Sequence, residues 1–136
     1  MNLCVTSQGR YKQPVWLEEC NENGYGQLWY VPDNNNGYYV NVEEDDISII
    51  YTPMQELIFD GYMESIPLER NHVKNHSSVI TYEDGLLKIY DKFHDEEVCF
   101  NIAEEEKSKK TEVLVNMVSC NETTTRWIVT TENPVA

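Results

Sequence analysis

Short apolar runs alternate along the chain with clusters of turn-forming residues such as Asn34-Asn35-Asn36-Gly37, Asp60-Gly61 and Glu83-Asp84-Gly85. This is the pattern of strands joined by tight turns. Val, Ile, Thr and Tyr are plentiful, and alanine occurs only at Ala103 and Ala136, so the composition favours strands over helices. The one stretch rich in helix formers, Ala103-Glu104-Glu105-Glu106-Lys107-Ser108-Lys109-Lys110, has no apolar face to bury and reads as a solvated loop or a single turn. The pattern predicts an all-β domain.

The runs also repeat. Pro14-Val15-Trp16-Leu17-Glu18-Glu19-Cys20 aligns with Ser65-Ile66-Pro67-Leu68-Glu69-Arg70-Asn71, and without a gap Trp29-Tyr30-Val31 then falls on Ile80-Thr81-Tyr82. A third copy, Val113-Leu114-Val115-Asn116-Met117-Val118-Ser119-Cys120, is followed after a shorter loop by Arg126-Trp127-Ile128-Val129. Upstream of each copy lies another short strand: Leu3-Cys4-Val5-Thr6, Leu57-Ile58-Phe59-Asp60 and Val98-Cys99-Phe100-Asn101. A fourth strand follows in the first two units, at Ile47-Ser48-Ile49-Ile50-Tyr51 and Leu86-Leu87-Lys88-Ile89-Tyr90.

Three units result, about 1–51, 52–94 and 95–136. The first carries an extra polar loop over 34–46, whose Gly37-Tyr38-Tyr39-Val40-Asn41-Val42 is expected to form an elongated hairpin. One such unit has too little apolar face to stand alone, so the three are expected to share a core around a pseudo-threefold axis. The third unit stops where its fourth strand should begin. The expected barrel therefore lacks its last strand and has an open edge, as in a domain cut from a longer chain or one completed by a partner.

The four cysteines fit this frame. Cys4 and Cys20 open and close the strand pair of the first unit, and Cys99 and Cys120 do so in the third; of the three possible pairings the repeat singles out this one. The middle unit has Ile58 and Asn71 at these positions. Oxidised pairs imply a secreted setting, whereas in the cytosol all four would be small buried thiols. The start of the chain lacks the basic region and unbroken apolar run of a signal peptide.

A chain of 136 residues fits one domain. Its formal charge of −14 argues against sequence-independent DNA or RNA binding and against docking on anionic lipid, since both need clustered Lys and Arg. No apolar stretch is long enough to span a membrane as a helix.

Leu3-Cys4-Val5, Val15-Trp16-Leu17-Glu18-Glu19-Cys20 and the Gln-x-Trp signature Gln27-Leu28-Trp29 resemble a ricin B-type lectin domain, a β-trefoil. Val98-Cys99-Phe100-Asn101, Ser119-Cys120 and Thr125-Arg126-Trp127 repeat the resemblance with the Gln replaced, and the middle unit matches mainly by spacing. The resemblance covers nearly the whole chain. It implies non-enzymatic binding of sugars, commonly galactose-type, in shallow pockets of the targeting part of a toxin or a glycan-active enzyme. It also implies three functional positions per unit: an Asp just after the first strand, an aromatic two residues before the second cysteine, and a polar pair beside the Gln-x-Trp.

The chemistry suits sugars, because a carboxylate makes charge-assisted bonds to hydroxyls and a rigid ring offers flat apolar area. The sequence departs from the family at most of these places. The first unit has Thr6, Glu18 and Gly26; the third has Asn101, Val118, Thr124 and Thr125. The second keeps Asp60 but has Glu69 in place of the ring and Ser77 and Ser78 at the polar pair, with Tyr62 or His76 as candidate substitute rings. Asp60, Tyr62, His76, Asn101 and Trp16 are the candidate carbohydrate contacts. The bland reading of Asp60-Gly61 is a turn.

Trp29 and Trp127 sit where the family fills its core, whereas strand alternation turns Trp16 away from Val15 and Leu17. His72 and His76 have a zinc-like spacing only on a helix, and the runs Glu43-Glu44-Asp45-Asp46 and Asp95-Glu96-Glu97 lack the ligand alternation of a calcium loop, so no metal or other cofactor is expected. Asn75-His76-Ser77 and Asn121-Glu122-Thr123 are glycosylation sequons. No phosphate-cradling loop or nucleophile elbow occurs, so catalysis is not expected.

The leading expectation is a carbohydrate-binding module with degenerate sites. The alternative is a glycan-silent trefoil whose acidic surface, with Tyr38 and Tyr39 on the insertion, meets a basic protein partner. A further alternative is an acidic β-protein that blocks a nucleic-acid enzyme by mimicking phosphate charge.

Overall fold

A computed structural model of the chain describes residues 2–7, 12–31, 36–44, 47–52, 54–61, 79–103 and 113–131. These contain eleven strands and no helix: β1 Leu3–Val5, β2 Trp16–Glu19, β3 Trp29–Tyr30, β4 Asn36–Gly37, β5 Val40–Asn41, β6 Ile47–Tyr51, β7 Leu57–Gly61, β8 Ile80–Glu83, β9 Leu86–Asp91, β10 Glu96–Ile102 and β11 Val113–Ser119. The domain is all-β, as the apolar pattern predicts.

The hairpins follow local chemistry. Between β8 and β9 the two-residue turn Asp84-Gly85 has φ of 54° and 80°, the left-handed pair that matches strand twist. At Gly85 a Cβ would stand 3.1 Å from Arg126 Cδ, a further reason for glycine. Between β9 and β10, Asp91 Oδ1 accepts from the Phe93 and His94 amides at 2.9 and 3.0 Å and so folds the turn from its own side chain.

The strands form two sheets, β1-β2-β11-β10-β9-β8-β4 and β3-β5-β6-β7. Residues 12–15 join them: Lys12 N and Val15 N donate to the Phe59 and Leu57 carbonyls at 2.7 and 3.1 Å, and Val115 N donates to the Val15 carbonyl at 3.1 Å. The expected elongated hairpin over 37–42 does not form. Instead β4 pairs with β8, and β5 pairs with β3 and β6, so this stretch ties one sheet to the other. Two short polar strands gain more from existing edges than from each other.

The sheets curl around one core that includes Val15, Leu17, Ile49, Tyr51, Phe59, Ile80, Ile89, Val98 and Phe100. Alternation along 15–17 is as expected: Val15 and Leu17 are buried, and Trp16 between them is half-buried. The expected strand at 126–129 belongs to neither sheet and is anchored by Trp127 N donating to the Gly85 carbonyl at 2.7 Å. Trp127 and Val129 nonetheless pack against the core.

Two of the three expected units share one built frame. Cys4–Cys20 and Cys99–Cys120 are disulfide-bonded, with Cα atoms 5.1 and 4.9 Å apart. Trp29 Nε1 donates to the Val5 carbonyl at 3.1 Å, and Trp127 Nε1 to the Phe100 carbonyl at 3.0 Å, in each case one residue past the first cysteine. The middle unit's counterpart of the second strand, 65–71, lies outside the described residues.

Candidate functional site

The resemblance places candidate contacts just after the first strand of each unit, and the structure treats the three positions differently. In the first unit Thr6 is buried. Its hydroxyl donates to the Cys4 carbonyl at 2.9 Å and accepts from Gln27 Nε2 at 3.0 Å. Gln27 also donates to the Glu19 carbonyl and accepts from the Asn21 amide, at 3.1 and 2.9 Å. The signature glutamine thus holds the end of β2 against the end of β1.

In the third unit Asn101 takes the place of Thr6, and Thr125 that of Gln27. Asn101 Oδ1 accepts from the Thr123 and Thr125 hydroxyls at 2.8 and 3.2 Å. Its Nδ2 donates to the Ile102 carbonyl at 3.1 Å and to Asn116 Oδ1 at 3.2 Å. An amide side chain has two donor hydrogens and two acceptor lone pairs, and all four are engaged within the protein. Thr125 Oγ1 also accepts from the Ile102 amide at 3.0 Å. Thr123 is a member of this cluster that the resemblance does not mark.

In the second unit Asp60 is half-buried on β7 opposite Ser48 of β6. Tyr62, His76, Ser77, Ser78 and Glu69 lie outside the described residues, as does His72. Trp16 donates from Nε1 to Glu18 Oε2 at 2.9 Å, so the glutamate at the family's stacking position grips the neighbouring indole. Trp29 stacks on Phe59 with ring centroids 5.8 Å apart, and Trp127 meets Phe100 edge-on at 6.2 Å. Both are framework side chains.

The insertion tyrosines do not form the exposed anchor that the alternative reading needs. Tyr39 is 4% exposed and belongs to the core, where burial, with Tyr82 adding, pushes its hydroxyl pKa up to about 12; Tyr38 is half-buried. Their stretch bridges the two sheets, so alternation drives Tyr39 inward. Among the described residues of the first unit the exposed large apolar side chains are instead Tyr25, Leu28 and Tyr30, at 56%, 47% and 60%, on the segment after Cys20 with Glu22 beside them in sequence.

A buried polar cluster has no signal in the sequence. Asp91, fully buried at the end of β9, accepts from the Tyr51 hydroxyl at 2.7 Å and lies 3.0 Å from His94 Nδ1. Burial alone would raise the Asp91 pKa, but the bonds from Tyr51, His94 and the Phe93 amide outweigh it and hold the carboxyl below its ordinary value. Burial and the same carboxylate push the Tyr51 hydroxyl well up. Tyr51 and Asp91 are 40 residues apart and meet only through the fold.

Among the described residues no three His, Cys, Asp or Glu side chains gather closely enough to hold a metal ion, and no helix is long and apolar enough to cross a membrane. Asn121, in the turn after Cys120, is exposed; Asn75 lies outside the described residues. Comparison of the chain with protein-family models, curated proteins and solved structures finds no match.

Proposed function

We propose that this chain is a non-catalytic recognition module on a ricin B-like trefoil frame, whose acidic surface engages a basic protein partner. The observation that carries this reading is Asn101. At this glycan-type position, whose side chain is suited to sugar, all four hydrogen-bonding capacities are taken by described residues that hold the frame together. A sugar hydroxyl there has to displace bonds already made, and exchange of one neutral bond for another gains little. The charge of −14 and the exposed Tyr25, Leu28 and Tyr30 supply what a basic partner needs, long-range attraction and apolar anchors.

The two cystines suit an oxidising compartment, and we read the chain as secreted. A glycan array and titration with a Lys- and Arg-rich peptide, in parallel, test the proposal. The expected outcome is peptide binding that weakens about tenfold or more on raising salt from roughly 0.05 to 0.5 M, with no sugar signal. An array signal competed by free galactose, with no peptide binding, overturns it.

A second reading has one observation in its favour. Asp60 keeps the carboxylate that the other two units replace with Thr6 and Asn101, on a strand end with the same register relative to its unit. On this reading the middle unit alone binds a galactose-type sugar, and Asp60→Asn removes the array signal while leaving peptide binding intact.

A further inference from the structure

The two stapled frames differ in one respect. β2 bonds to β1 through even-numbered residues: Cys20 N donates to the Asn2 carbonyl at 3.0 Å and Thr6 N to the Trp16 carbonyl at 3.2 Å. Backbone groups alternate sides along a strand, so the amides and carbonyls of Leu3 and Val5 point to the opposite edge. In the third unit Cys120 N and the Glu97 carbonyl bond across β10 and β11 at 3.3 Å, which turns Val98 and Phe100 away from β11 in the same sense. There β9 lies alongside, with Ile89 opposite Val98 and Lys88 opposite Cys99. Beside β1, which ends its sheet, no strand lies among the described residues.

Burial records the difference. Val98, Cys99 and Phe100 are 3%, 0% and 1% exposed, whereas Leu3, Cys4 and Val5 are all only partly buried, although Leu3 and Val5 pack on the same core. The Phe100 and Val5 carbonyls are already matched by their tryptophans. The Leu3 amide and carbonyl and the Val5 amide remain on the edge.

We infer that the β1 edge binds an extended segment of a partner polypeptide, antiparallel to β1, with two branched apolar residues separated by one position. β9 defines what fits. Leu87 and Ile89 are buried in the core, and the intervening Lys88 faces outward to Glu83 and Glu97 at 2.7 and 3.8 Å. Next to β1 the residue at that intervening position stands opposite Cys4, and the position that matches Glu97 is Asn2, so the net charge of −14 rather than a single carboxylate favours a basic residue there. Glu132-Asn133-Pro134-Val135-Ala136 does not carry the required alternation, and its proline has no amide hydrogen to give. A second copy of this chain brings another −14 and only a three-residue strand to the contact, so a partner with a basic, alternating segment is favoured. The inference stands whether or not the acidic face binds a protein.

The test uses a synthetic peptide of the β9 sequence Leu86–Asp91 flanked by Gly and Ser, titrated into the oxidised full chain and followed by anisotropy and amide exchange. The expected result is saturable binding with exchange at Leu3 and Val5 slowed about tenfold or more. N-methylation at Ile89, whose amide faces the acceptor strand, is expected to weaken binding at least about tenfold, and N-methylation at Lys88, whose amide faces away, to leave it within about twofold. Equal binding of the two methylated peptides, or unchanged exchange at Leu3 and Val5, overturns the inference. Concentration-dependent dimerisation that protects these amides without peptide also overturns it, in favour of a second copy.

Discussion

The Trp127 indole donates to the Phe100 carbonyl at 3.0 Å, and 98 residues earlier in the chain Trp29 makes the same bond to Val5 at 3.1 Å. Each bond ties a later segment of the chain to the residue beside a cystine. Loss of the indole N–H leaves a part-buried carbonyl unmatched and thins the core. Trp127→Phe and Trp29→Phe are each expected to cost about 1–3 kcal/mol, read as a lower denaturant midpoint. These indoles pack against the core, so partner affinity per folded molecule is expected to stay unchanged.

Asn101 separates a framework role from a binding role. Asn101→Asp keeps the acceptors for Thr123 and Thr125 but removes both donated bonds and sets a charge against Asn116 Oδ1 and the Ile102 carbonyl. The expected result is a destabilisation of about 1–3 kcal/mol without any gain of sugar binding. A variant that is as stable as the parent and binds galactose contradicts the framework role.

Asp91 makes stability depend on pH in the acid range. Its carboxyl is held below its ordinary value in the fold, so its contribution is present in full above the unfolded-state pKa of about 3.9 and is lost as pH falls through the lower folded value. Tyr51→Phe removes one bond to the buried charge and is expected to cost about 1.5–3 kcal/mol at neutral pH, with a smaller penalty once the carboxyl is protonated. Denaturation curves between about pH 2 and 7 for parent and variant measure both effects.

The disulfides close loops with sequence separations of 16 and 21, and each is expected to contribute about 3 kcal/mol. Paired Cys→Ser replacement at Cys4 and Cys20, or at Cys99 and Cys120, should lower stability by about that amount. Intact mass with and without reductant, after alkylation, counts the two bridges directly.

Local pattern alone determined the all-β class, the hairpin at Asp84-Gly85, the alternation of Val15, Trp16 and Leu17, and the pairing of the cysteines, because each rests on sequence spacing and turn chemistry between near neighbours. The frame positions of Trp29 and Trp127 were expected from the resemblance to ricin B-type domains rather than from local pattern. Only the tertiary structure decided that Tyr39 is core, that the 36–41 stretch bridges two sheets, and that Asp91 and Tyr51 form a buried pair, since each outcome depends on which distant edge a short strand meets. It likewise decided the fate of Asn101. An amide near the end of a strand is a sugar contact or a brace according to what surrounds it, and here the loop after Cys120 brings Thr123 and Thr125 within reach.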